Sequence, residues 1–186
     1  METGQVEIVE DKRVALLIAV LALCLAIAET GAKSAQTEAL ARNVQSTNLW
    51  SFFQAKTIRQ TTVRTAAEAA ELQKAGADPA LRTAIEVQQA AWRATATRWD
   101  SEPTTGEGRK ELMERARVTD EEREHAMAKY HLYEYAAAAL QVAIVVSSAS
   151  IITGVSFLSL LGIGLGVIGA ALAGIGWLAP EMLHLG

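Results

Sequence analysis

Proline is almost missing from this chain. The 186 residues hold three, Pro79, Pro103 and Pro180. With so few helix breakers long helices can form, and the prolines mark where they stop or restart. Cysteine is scarcer: Cys24 stands alone, which excludes an intrachain disulfide and leaves the redox compartment open. It sits inside an apolar run as a small buried hydrophobe. A strong basic excess is also lacking. Lys and Arg number 17 against 21 Asp and Glu, a net charge of −4, so nucleic acid is not an expected partner. No block of like charge forms a solvated tail.

The most telling absence is local. Between Glu134 and Glu181 there is no Asp, Glu, Lys, Arg or His. As helix, Tyr135–Pro180 would extend about 69 Å, against about 30 Å of bilayer hydrocarbon. That is too long for one crossing and suits two joined by a tight turn. Although 51% of the chain is hydrophobic, the apolar residues concentrate at the two ends. This segregation points to a membrane protein with a water-exposed insert.

Residues 1–13 form a short tail, acidic and expected to be poorly ordered up to Asp11 and ending in the basic pair Lys12 and Arg13. Val14–Ala28 then runs for fifteen residues with nothing more polar than Cys24. The basic pair, apolar core and Ala26-Ile27-Ala28 would also suit a cleavable signal peptide. A lipoprotein signal does not fit, because Leu23 precedes Cys24 where a small residue is wanted. An uncleaved span over 14–30 is expected, with Lys12 and Arg13 snorkelling and Thr30-Gly31-Ala32 carrying the helix into the interface.

Ser34–Ala75 lacks Pro and Gly and predicts one helix over about 34–75, stopped at Gly76 with Lys74 in its last turn. Asp78 as N-cap and Pro79 as first residue restart the chain over 79–99. There Leu81, Ile85, Gln88, Trp92, Thr95 and Trp99 follow the four-three spacing of a coiled-coil-like seam. Residues 100–108 carry Pro103, Gly106 and Gly108 and predict a loop. A further helix covers 109–131, where Thr119 and Glu122 have capping-box spacing that marks either a local break or an uninterrupted helix. Matching lengths suggest an antiparallel helical hairpin over 31–131 whose returning arm is interrupted at 100–108. In that register Trp99 falls beside Phe52 and Phe53, and Trp92 near Thr62 and Val63. A three-helix bundle is the rival arrangement. Helices rich in Ala and Thr bury little apolar area, so neighbouring subunits are expected to complete the core.

Residues 13–70, including RVALLIAVLALCLAIAETGAKSAQTEAL and NLWSFFQAKTIRQTTVRTAAE, resemble the bacterial membrane-protein family known as domain of unknown function 4337. The segments Lys33–Glu38 and Gln54–Arg59 are its most distinctive parts, and a looser likeness extends to the C-terminal apolar residues. The resemblance implies a membrane protein and carries no activity onto any residue.

The C-terminal hairpin is expected over 132–180, with spans at about 134–153 and 156–179 and a tail at 181–186. Ala139, Ala143 and Ser147 make a small-residue stripe on the first of these spans. Thr153-Gly154 supplies the turn, and Ser156 is a candidate cap. On the last span Gly162, Gly166, Ala170 and Gly174 repeat every four residues in a glycine-zipper pattern. Close backbone approach must drive association in lipid, so this is the strongest interaction signal in the chain. It packs either on the protein's own second span, on another subunit, or along a pore. Tyr130, Tyr133, Tyr135 and Trp177 fall where interfacial aromatics belong. Basic residues beside the membrane favour a cytoplasmic insert in the bacterial inner membrane.

Chemistry is weakly signalled. Glu122 and His125 have the Glu-x-x-His spacing of carboxylate di-iron helices, but no second such motif exists. Trp50, Phe52, Phe53, Trp92 and Trp99 suit either a hydrophobic ligand groove or helix packing. No residue set indicates nucleophilic catalysis or a cofactor. The expected fold is all-α, with three transmembrane helices and a long helical insert. The expected role is a non-enzymatic, homo-oligomeric scaffold docking an unidentified protein partner. A glycine-lined channel and a metal enzyme on the insert are the rivals.

Overall fold

In the computed structural model, the backbone is described for residues 2–180 and side chains for 12–180. The expected C-terminal tail, 181–186, and the side chains of the N-terminal tail up to residue 11 lie outside the described residues. The fold is all-α, with helices α1 (Glu2–Gln73), α2 (Pro79–Asp100), α3 (Arg109–Thr153) and α4 (Ser156–Leu178). A 3-10 turn, Lys74–Gly76, follows α1. Three helices are long and apolar enough to cross a membrane, lying over Lys12–Gly76, Arg109–Thr153 and Ser156–Leu178.

The helix limits follow from local chemistry. The tail expected to be poorly ordered is helical from Glu2, and it, the first expected span and the insert's long helix are one element, because nothing between Ala28 and Gln73 breaks an α-helix. Asp78 caps α2, its Oδ1 accepting from the Leu81 N–H at 2.8 Å, and Pro79 fills the first helical position, where an N–H has no partner to lose. The stop expected at Gly76 is made by the 3-10 turn that ends there, without a positive φ; among the described glycines positive φ belongs to Gly106 and Gly154. Thr119 makes no break: its Oγ1 donates to the Arg115 carbonyl at 2.8 Å inside continuous α3. Ser156 is not the cap of α4 either. Val155 holds that position without a side-chain bond, and Gly154, with φ of 69°, turns the chain.

The chain divides into two compact units, Met1–Leu40 with Glu122–Gly186, and Ala41–Glu121. In the second unit, α1 and α2 run antiparallel through two buried glutamines. Gln60 Nε2 donates to the Ala96 carbonyl at 2.9 Å, and Gln89 Nε2 donates to the Ala67 carbonyl at 2.7 Å. Each bond lands on a buried alanine, where the small side chain lets the amide reach the neighbouring backbone. The seam of α2 therefore runs through Ile85, Gln89, Trp92, Ala96 and Trp99. Gln88 and Leu81 are exposed, one position off the spacing expected for them. The same bonds shift the register. Ala96 opposite Gln60 puts Trp99 level with Thr57 and about a turn from Phe52 and Phe53, whereas Trp92 and Val63 do line one groove.

The beginning of α3 covers the next part of α1. Leu49, Leu112 and Ala116 form a small core with Trp50 and Phe53. Asp120 clasps the pair, its carboxylate accepting from Ser46 Oγ at 2.7 Å and from Trp50 Nε1 at 2.9 Å. The loop between α2 and α3 is pinned at both ends. Glu111 accepts from Ser101 Oγ at 2.5 Å and from the Glu102 N–H at 3.1 Å. Asp100 lies 3.0 Å from both Arg109 and Lys110. Its hydrogen bond with Lys110, together with those from Gln60 and Arg109, lowers its pKa from 3.8 to about 2 against the opposing effect of burial.

An acid with a depressed pKa stabilises the fold at pH above its unfolded value and stops doing so as pH falls through its folded one. Asp100→Asn is therefore expected to lower the melting temperature of the helical signal in mild detergent at pH 7. The gap to the unsubstituted chain should shrink steadily between about pH 4 and pH 2; a gap independent of pH would count against an ionic role for Asp100.

Candidate functional site

In the first unit α4 lies against α3 and α1 through its glycines. Gly162, Gly166, Gly169 and Gly176 are buried. A Cβ built at Gly162 would strike Ser147 Oγ, with the Ala143 carbonyl 3.1 Å away. At Gly169 it would meet Leu140 Cγ at 2.7 Å and the Ala136 carbonyl at 3.0 Å, and at Gly176 Leu132 Cβ at 3.3 Å. At Gly166 it would strike the Leu21 side chain of α1. These contacts descend α3 as they climb α4, so the two helices are antiparallel. Hydrogen in place of a side chain brings the backbones within reach of each other's carbonyls, which raises the number of close contacts per turn.

The packed face is not quite the stripe that four-residue spacing suggests. Gly162 and Gly166 belong to it, but Ala170 is exposed and a Cβ at Gly174 would meet nothing within 4 Å. The buried line instead runs 162, 166, 169, 173, 176, with Ala173 half-buried. A strict four-residue step turns about 400° on an α-helix and drifts off a straight neighbour, whereas alternating four and three stays on it. On α3 the same holds: Ala143 and Ser147 are fully buried, while Ala139 is half-buried and yields its place to Ala136 and Leu140. Among the described residues Ser147 Oγ has no hydrogen-bond partner, and it faces Gly162. The core here is Leu21, Ala28, Ala136, Ala137, Leu140 and Ala143, with Cys24 packed against it.

The aromatic residues divide. Tyr133 lies with its ring on the backbone of α1, where a Cβ at Gly31 would stand 2.9 Å from it, and also borders Gly176. The missing side chain of Gly31 thus seats a ring. Trp177 is 77% exposed beside that level, and Tyr135 is 48% exposed. Tyr130 donates its hydroxyl to Glu134 at 3.1 Å. Lys12 and Arg13 are exposed. In the other unit Trp50 and Phe53 meet edge-on at 5.6 Å, Arg109 lies 5.8 Å over Phe53, and Lys56 lies 5.5 Å over Phe52. Trp50 and Phe53 serve helix packing, and Trp92 lines a separate shallow groove with Val63, Arg64 and Arg93.

Glu122 and His125 each hold an interaction with a neighbour. Among the described residues no three His, Cys, Asp or Glu side chains come together as a metal cradle.

One polar contact was not anticipated. Gln141 Nε2 donates to Glu29 Oε1 at 3.3 Å, joining α1 to α3 on the open surface of the first unit. The signal was available, since a fifteen-residue apolar run is too short to cross a bilayer without drawing Glu29 in behind it.

A family model described as a domain of unknown function, DUF4337, matches residues 10–179. No curated protein and no solved structure matches the chain.

The glycine face makes a ranked expectation. Gly162→Ala and Gly169→Ala should each destabilise the chain by about 1–3 kcal/mol through overpacking. Gly174→Ala and Gly164→Ala meet open space and should be neutral or slightly stabilising, as Ala is the better helix former. Thermal melting of the four variants in one detergent checks the order; equal losses at Gly169 and Gly174 would mean this face is drawn wrongly.

Proposed function

The chain belongs to the DUF4337 family, and on that premise we propose that it is a non-enzymatic integral protein of the bacterial inner membrane, a self-associating scaffold whose helical insert docks partners. Three helices with the length and apolarity to cross a membrane support the first part. Only 11%, 28% and 17% of their most apolar windows is buried within the chain, so most of that apolar surface faces outward, which is costly in water and favourable in lipid. The positive residues flanking the spans favour a cytoplasmic insert.

One observation carries the docking reading: the unit Ala41–Glu121 encloses little and exposes much. Its core is Leu49, Leu112 and Ala116 with two flanking aromatics. Outside it stand Val44, Ile58 and Leu72 on α1 at 60%, 67% and 81% exposure, and Leu81 and Val87 on α2 at 52% and 67%. Along α1, Val44, Thr47, Ser51, Ile58 and Thr61 share one uncharged face. The hydroxyls of Thr47, Ser51 and Thr61 donate to the carbonyls four residues back, so they ask little of water. A face of that kind loses little by being covered.

The rival functions draw less support. The buried glycines of α4 are taken up by Leu21, Ala136, Leu140, Ala143 and Ser147 of the same chain, which leaves them no axis to line. Glu122 and His125 belong to no group of three His, Cys, Asp or Glu side chains able to hold a metal among the described residues.

Native mass spectrometry of the full chain in mild detergent tests the proposal. It should show two or more copies, or one copy with a stoichiometric protein partner. A lone chain, or a chain that stays dispersed without amphiphile, would overturn it.

A further inference from the structure

Taking the membrane and self-association readings above as its basis, we infer that Glu29 and Gln141 form the polar centre of a contact between two copies of this chain inside the bilayer. Their depth follows from the packing of α4. Gln141 lies between Ala143, which faces Gly162, and Leu140, which faces Gly169, so its Cα is level with the middle of the 23-residue α4. Gly31 meets Tyr133, and Tyr133 borders Gly176 close to the end of α4. Glu29, two residues before Gly31, thus has its Cα about 3 Å inside the tyrosine level, and Gln141 about 12 Å inside it.

Side-chain direction brings the two heads together inside the tyrosine level. Helical side chains tilt toward the N-terminus of their helix, so Glu29 on α1 leans inward and Gln141 on antiparallel α3 leans to meet it. The two heads join at one depth, 3.3 Å apart, and both residues are exposed. Lys33, one turn nearer the interface, forms no ion pair with Glu29 among the described residues, and Thr30 spends its hydroxyl on the Ala26 carbonyl at 2.7 Å.

Much hydrogen-bonding capacity is left over. Gln141 has used one of two amide N–H groups and has an amide oxygen to spare, while Glu29 has a second carboxyl oxygen. Among the described residues neither makes another hydrogen bond. Hydrocarbon offers no partner for these groups, and leaving them unmet is costly. A second copy does offer one. Copies inserted in the same direction and related by a two-fold axis along the membrane normal carry this pair at the same depth. The free N–H of each Gln141 then donates to the free carboxyl oxygen of the other copy's Glu29. The patch is complementary to itself, as a two-fold contact requires. Its neighbours permit the approach: Ala22 and Ala26 on α1 and Ala138 on α3 are exposed and small.

The test uses the full chain in mild detergent, with native mass and circular dichroism on the same samples. Glu29→Leu and Gln141→Leu should raise the dissociation constant at least tenfold with helix content kept, while Glu29→Gln, which retains an acceptor, should preserve the oligomer. In native membranes Ala26→Cys, in a Cys24→Ala background, should form a disulfide-linked dimer on mild oxidation. An unaltered oligomer in both leucine variants, or no Ala26→Cys dimer, would overturn this contact while leaving self-association through another surface standing. A lone chain in the unsubstituted protein would instead remove the self-association reading itself, and with it this contact.

Discussion

Helices surrounded by lipid gain nothing from hiding apolar side chains, because the tails around them are equally apolar. What holds such helices together is close approach of their backbones, and α4 is built for it: four buried glycines leave the carbonyls and small side chains of α3, and one leucine of α1, in direct contact with its main chain. The rest of the first unit is arranged to accept that approach. Ala136, Ala143 and Ser147 on α3 are small where glycine arrives, and Gly31 of α1 gives up its side chain so that the Tyr133 ring can lie against it. Large residues such as Leu16, Val145 and Val167 are turned outward, at 66%, 67% and 64% exposure.

On the proposed topology the second unit works under the opposite constraint. In water, apolar burial would be the natural means of cohesion, yet the interfaces between α1, α2 and α3 are narrow and rich in alanine. Polar groups therefore set the alignment. Gln60 and Gln89 each place an amide on a backbone carbonyl of the facing helix, and Asp120 accepts from Ser46 and Trp50. Such bonds add little net stability each, but a slipped register would leave buried amides unsatisfied, which is much costlier. This explains how so thin a layer keeps one register while leaving uncharged surface available for other molecules.

Much of this was legible in the residues. The restart at Asp78-Pro79, the loop within 100–108 and the turn at Gly154 follow from backbone chemistry that any sequence displays. The helical class followed from the scarcity of breakers and the length of the apolar runs. Tertiary alignment was less accessible. Equal spacing rules fit both the seam through Gln88 and the one through Gln89, and only the carbonyl of Ala67 decides between them. Likewise, a four-residue repeat named Ala170 and Gly174, although helical drift carries those positions away from α3. The depth of Glu29 is legible from the short apolar run before it, but its pairing is not, because Gln141 lies 112 residues away on a helix that a run of apolar letters cannot place beside it.

The account depends most on lipid surrounding the outward side chains of the first unit. Spin labels at Leu16, Val145 and Val167, introduced as single cysteines in a Cys24→Ala background and reconstituted into liposomes, measure this directly. At all three, relaxation by dissolved oxygen, which concentrates in hydrocarbon, should exceed relaxation by a water-soluble nickel chelate. Faster relaxation by the chelate at these sites would show that water surrounds them and would contradict the account.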